Sequence, residues 1–128
     1  MKQNHEFFPG LSITIEEIAS EAKSAISMGS GTLEVYATPS MIALMEKASM
    51  MCVEKYLKDD ETTVGGAVNI KHLKPTALGR IVICKSEIKE VSGTRIEFGL
   101  EVHEEDKLIG TGFHTRFIIN KTSFMNNL

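Results

Sequence analysis

Thr38-Pro39-Ser40-Met41-Ile42-Ala43-Leu44-Met45-Glu46-Lys47-Ala48-Ser49-Met50-Met51-Cys52-Val53-Glu54-Lys55-Tyr56-Leu57 decides the architecture of this chain. Threonine followed by proline reads as an N-cap residue with proline in the first helical turn, where its missing N–H has no partner to lose. From Met41 to about Leu57 good helix formers continue without glycine or proline, so the composition predicts one long helix. Lys55 and Lys58 suit the negative pole at its end. Successive residues turn by about 100°; Ser40, Lys47, Glu54 and Lys58 then share a side expected to face solvent. Glu46 projects elsewhere, into a sector with Ile42, Met50, Val53 and Leu57, so a carboxylate lies among groups expected to be buried.

Downstream of Asp59-Asp60 the hydrophobic period becomes two, the signature of strands. In Val64 to Lys74 the even positions Val64, Val68, Ile70 and His72 share a face, with Gly66 among them, which sets His72 on the apolar side. Pro75-Thr76 and Gly79 mark a turn before Ile81-Val82-Ile83-Cys84, and Ser92-Gly93 reads as a hairpin. Ile96, Phe98, Leu100 and Val102 then alternate strictly with Arg95, Glu97, Gly99, Glu101 and His103, a half-buried antiparallel strand. After Glu104-Glu105-Asp106 a last strand returns over Leu108 to Ile119, with Ile109, Phe113, Phe117 and Ile119 assigned to one face. Upstream of the helix, Leu11, Ile13, Ile15 and Ile18 alternate briefly, and Ala22 to Met28 is read as a first strand before the turn at Gly29-Ser30-Gly31. One long helix beside about four further strands is an α+β arrangement in which an antiparallel sheet covers the helix.

The 128 residues, 42% apolar and 24% charged, support one globular domain over 1–128, with residues 1–20 weakly patterned and 120–128 expected to fray. A net charge of −3 argues against a nucleic-acid-binding module. Cys52 and Cys84 have no metal-ligand spacing and read as small core fillers. The start, Met1 to Glu6, leads into no apolar stretch of leader length, and no membrane-spanning run occurs, so a cytoplasmic protein without membrane contact is expected.

A carboxylate that orients an imidazole, which in turn activates a hydroxyl, is the general logic of an activated nucleophile. Glu46 and His72 are expected to project into the same interior, and Thr38 can supply the hydroxyl. Gly65 and Gly66 inside a strand mark a bulge or the close approach of a ligand to backbone amides, where a carbonyl oxygen could be held. Lys71, Lys74 and Arg80 around the Pro75 turn are candidate contacts for anionic phosphates. No GxSxG elbow, HExxH motif, phosphate loop or dinucleotide fingerprint is present.

Three stretches carry a family resemblance: Glu34-Val35-Tyr36-Ala37-Thr38 running into Leu44-Met45-Glu46; His72-Leu73; and Ile109-Gly110-Thr111-Gly112-Phe113-His114-Thr115-Arg116. With the segment Val64 to Gly79, they resemble the hot-dog thioesterase superfamily, and within it the fluoroacetyl-CoA thioesterase-like group, over about residues 20 to 119. The resemblance implies a hot-dog fold and hydrolysis of a small or medium acyl-CoA. It also implies catalytic residues Thr38, Glu46 and His72, the nucleophile being Thr38, Glu46 or a water activated by His72, with Gly65 positioning the thioester and Arg116 close by. It further implies homodimers joined sheet edge to sheet edge with sites at the subunit boundary, CoA as part of the substrate, no separate cofactor and no metal. Where the family places shielding phenylalanines ahead of the threonine, this chain reads Gly29-Ser30-Gly31-Thr32, which argues against fluoroacetyl-CoA itself. The rival functions are a non-catalytic acyl-CoA binder and a hot-dog hydratase.

Overall fold

The computed structural model describes residues 5–128; residues 1–4, part of the stretch read above for a leader, lie outside them. In chain order the elements are β1 (Ser12–Ile18), a 3-10 turn (Glu21–Lys23), α1 (Ala25–Met28), α2 (Thr38–Glu54), β2 (Glu61–His72), β3 (Ile81–Ser92), β4 (Arg95–Glu104), β5 (Lys107–Asn120) and α3 (Lys121–Asn126). The strands form one antiparallel sheet in the order β1-β3-β4-β5-β2, and α2 packs against every strand. β1 and β2 are therefore the two sheet edges. No described helix is long and apolar enough to cross a membrane.

The long helix forms where its residues demand it, with one change at its start. Ala37 is the N-cap, at φ −77° and ψ 143°, and its carbonyl accepts from Met41 N at 3.0 Å. Thr38 is thus already inside the first turn, and its hydroxyl makes no cap bond. The helix ends at Glu54 rather than Leu57, where Tyr56 N turns back to Val53 O. Met41, Leu44, Met45, Ala48, Cys52 and Val53 are buried against the sheet. Lys47 and Glu54 lie on the open side as expected, and Lys58 is exposed in the turn beyond. Ser40 does not: it is buried, its hydroxyl donating to Lys23 O at 2.9 Å. The sector holding Ile42, Glu46 and Met50 is only half-buried, because a single sheet covers only one side of α2.

The first strand lies earlier than Ala22 to Met28. That stretch is the 3-10 turn and α1, capped by Ser24 Oγ accepting from Ser27 N at 3.1 Å and closed by Gly29 at φ 69°. A short apolar run does not distinguish strand from helix, and here local capping decides it. β1 is the brief Ile13 and Ile15 alternation, whose side chains pack on the core beside α2.

β4 follows its pattern: Ile96, Phe98, Leu100 and Val102 are all buried. β2 does not keep one parity. Its register against β5 shifts between Gly65 and Ala67, leaving Gly66 as the extra residue of a bulge. Glu61 and Thr63 point inward before the bulge, so Val64 lies on the opposite face from Val68, Ile70 and His72. β5 keeps Ile109 in the core as expected but is reversed beyond it, after the register shift against β4 at that end. His114, Arg116 and Ile118 are buried on the helix side, whereas Phe113 is 57% and Phe117 37% exposed on the outer face. The final residues form α3, capped by Asn120 Oδ1 accepting from Ser123 N at 3.0 Å.

Candidate active site

Thr38 and His72 meet at one end of α2. With Ala37 serving as the cap, the Thr38 hydroxyl is free to lie 2.7 Å from His72 Nδ1, at the last residue of β2. In the tautomer with its hydrogen on Nε2, neutral Nδ1 accepts the hydroxyl proton. Nε2 is buried and has no hydrogen-bond partner within the protomer. Burial lowers the His72 pKa below the usual imidazole value, while the Lys74 backbone pulls the other way. The pair lines a cavity of about 320 Å³ with Ala25, Ser30, Val35, Lys74 and Pro75. No aromatic ring of the Gly29 to Leu33 stretch covers it. Tyr36, the ring nearest Thr38 in sequence, is turned inward, its hydroxyl donating to Glu17 at 2.7 Å.

A second polar cluster forms around Gly65. A methyl group added there would lie 3.2 Å from His114 Cε1, 3.4 Å from Glu46 Oε2 and 3.6 Å from Arg116 Nη1, so the bare α-carbon faces all three side chains. Arg116 is fixed from β2: Nε donates to Thr63 Oγ1 at 2.8 Å and Nη2 to Thr63 O at 2.9 Å. Its Nη1 lies 3.1 Å from His114 Nε2, and His114 Nδ1 lies 2.8 Å from Ala67 O. Burial lowers the Arg116 pKa, opposed by the charges of Glu46 and Glu54. Gly66 faces the other way, where an added Cβ would meet the Phe117 ring at 2.5 Å.

Within one protomer the two clusters are separate, so Glu46 and His72 do not pair as the sequence reading expects. Gly65 and His72 are seven residues apart on β2, and Thr38 and Glu46 eight apart on α2; strand and helix rises convert these to about 20 Å and about 12 Å. Elements this straight cannot bring their two ends together. The candidate phosphate cations also disperse. Lys71 lines an outer-face groove with Asn69 and Phe113, Lys74 lies beside His72, and Arg80 pairs with Glu104 at 2.9 Å. Two members of the Gly65 cluster, Thr63 and His114, are not among the site residues expected from the sequence. The signal for His114 was its place two residues before Arg116 in a strand, which sets both on one face. Among the described residues no group of His, Cys, Asp or Glu is arranged to hold a metal ion.

An antiparallel sheet packed on a single long helix, with a hydroxyl–imidazole pair at the helix start, defines a hot-dog protein of the thioesterase type. The fold is shared with a hot-dog-like protein from Thermanaerovibrio acidaminovorans, 16% identical, TM-score 0.87, over 94% of this chain and 90% of that one. Residues 19–122 match the family model described as fluoroacetyl-CoA-specific thioesterase, and the chain belongs to that family. The fluoroacetyl-CoA thioesterase of Streptantibioticus cattleyicolor is 33% identical over 91 residues, which span 71% of this chain and 66% of that protein's length. A solved structure of the fluoroacetyl-CoA thioesterase FlK superposes with a TM-score of 0.90 at 26% identity, over 94% of each chain. A phenylalanine-to-alanine variant of FlK, solved with fluoroacetate and CoA, gives 0.86 at 27% identity over 92% of this chain and 99% of that one.

Proposed function

We propose that this protein hydrolyses a small or medium acyl-CoA thioester to the free acid and CoA. The observation that carries this reading is the 2.7 Å contact between Thr38 Oγ1 and a partly buried His72 whose pKa is lowered, a base that stays neutral at ordinary pH beside a hydroxyl. His72 Nδ1 takes the Thr38 proton as the hydroxyl oxygen attacks the thioester carbonyl carbon. The C–S bond breaks, and the imidazolium returns the proton to the departing CoA thiolate. Water then attacks the acyl-threonine ester by the same general-base route and frees the acid and Thr38. A backbone amide at the Gly65–Gly66 bulge holds the carbonyl oxygen, with Arg116 beside it.

Glu46 supplies the missing partner of His72 Nε2, and it does so from a second copy of the chain. β2 is an edge strand of twelve residues with one unpaired side, a long edge of the kind that natural proteins cover. Antiparallel pairing of two β2 edges about a two-fold axis near Val68-Asn69 sets the Gly65 end of one strand against the His72 end of the other. The homodimer thus joins the two half-sites that one protomer keeps apart. The lack of a phenylalanine in Gly29-Ser30-Gly31-Thr32, beside the cavity at Thr38, favours an ordinary acyl group over fluoroacetyl. CoA enters as part of the substrate, without a separate cofactor, in a cytoplasmic setting.

The test is thiol release from a panel of acyl-CoAs. At least one short or medium acyl-CoA turns over, and His72→Ala lowers kcat on it by about 100-fold or more while the protein stays folded. Binding of CoA esters without thiol release, or a His72→Ala variant as active as wild type, would overturn the assignment.

A further inference from the structure

His114 is a buried imidazole that the proposed chemistry does not use, yet both of its nitrogens are engaged. A carbonyl oxygen only accepts, so the 2.8 Å contact with Ala67 O requires the ring hydrogen on Nδ1. Nε2 is then the lone-pair nitrogen, and it accepts from Arg116 Nη1 at 3.1 Å. Ala67 closes the bulge that begins at Gly65, and Arg116 Nη1 lies 3.6 Å from the point where a Gly65 side chain would begin. The imidazole is 1% exposed and lies beside Phe98, with ring centroids 6.4 Å apart.

We infer that His114 is a positioning residue of the thioester site: as the neutral Nδ1–H tautomer it pins the Gly65–Ala67 bulge and holds Arg116 Nη1 toward the Glu46 carboxylate. This rests on the site reading above. Protonation would place a second N–H against the guanidinium, ending the acceptor role and setting two cations 3.1 Å apart. The charged groups that face the ring are Arg116 on its own strand, Glu46 from α2 and Glu97 from β4; β2 offers only the Ala67 carbonyl. The carboxylates favour the protonated ring and Arg116 opposes it, but burial is the largest influence and keeps the pKa below the usual imidazole value. The neutral ring therefore persists where ordinary histidines take up a proton.

Nitrogen-15 NMR of histidine-labelled protein reads the tautomer directly, without any assay of activity. The expected result is a neutral His114 with hydrogen on Nδ1 from about pH 8 down to the ordinary imidazole midpoint of 6.5. Hydrogen on Nε2, or protonation within that range, would overturn the proposal. Kinetics supply the second measurement. His114→Phe keeps a ring beside Phe98 and removes both nitrogens; His114→Asn keeps a donor for Ala67 O, and His114→Gln an acceptor for Arg116. The expected pattern is a kcat loss of about 10- to 100-fold for phenylalanine with KM nearly unchanged, and partial recovery by at least one amide. Folded variants with wild-type kcat, or equal kcat losses in all three that track thermal stability, would refute the positioning role. If the phenylalanine variant does not fold, the amide pair and the tautomer still decide. A wild-type protein without thiol release would sink the hydrolase reading and leave the tautomer to be judged on its own.

Discussion

Thr38 shows how one residue can be read correctly for structure and incompletely for chemistry. Its place before Pro39 announces a helix start, yet Ala37 takes the cap position and leaves the hydroxyl for His72. Sequence cannot separate those outcomes, because a one-residue shift of the cap leaves the same residues in the first turn. The lowered His72 pKa carries its own consequence. A general base works in its neutral form, so activity is lost as pH falls through the His72 pKa of the folded enzyme, which burial lowers and a Glu46 carboxylate beside Nε2 raises. kcat/KM is therefore expected to fall on the acid side with a single-proton limb, and a profile without such a limb would argue against His72 as the base.

Glycine placement decides the behaviour of the strands. Gly65 and Gly66 are adjacent, but the bulge turns one into the polar cluster and the other onto the Phe117 ring. A methyl at Gly65 meets His114 Cε1 at 3.2 Å and Glu46 Oε2 at 3.4 Å, tight contacts in the middle of the proposed carbonyl cradle. Gly65→Ala is therefore expected to lower kcat at least about 10-fold with a modest stability loss, of order 1 kcal/mol. Gly66→Ala meets a half-exposed ring that can swing outward, so its activity is expected to stay within about threefold of wild type. Chemical denaturation beside thiol-release kinetics measures both quantities; equal kcat losses in the two variants would show that the bulge does not divide the faces functionally. The doublet was legible as a bulge, but its effect on parity was not, because a strict period of two carries Val64 onto the face of His72. Beyond the buried Ile109, β5 is reversed for another reason. Hydrophobicity selects the Phe113 and Phe117 face, whereas the sheet buries His114 and Arg116, whose hydrogen bonds to Ala67 and Thr63 satisfy them inside.

At the scale of the molecule, helix, sheet and strand alternation were readable because one long uninterrupted helix followed by period-two segments admits few packings. What a single chain could not disclose is which end of α2 meets which end of β2, since Thr38, Glu46 and His72 are related only through their spacing along two straight elements. If two copies complete the site across the β2 edge, defects in different half-sites should complement each other. His72→Ala and Glu46→Gln, each inactive alone, would be mixed under conditions that exchange subunits. Half of the resulting dimers are heterodimers, and each carries one site built from an intact His72 and an intact Glu46, so activity should return to about a quarter of wild type. A site completed inside each protomer would leave every site in the mixture defective, and the mixture would stay as inactive as its components. An affinity tag on one variant, with co-purification of the untagged other, confirms that exchange occurred between dimers. Dilution adds an independent check, since specific activity should fall together with the dimer fraction when each half-site needs the other.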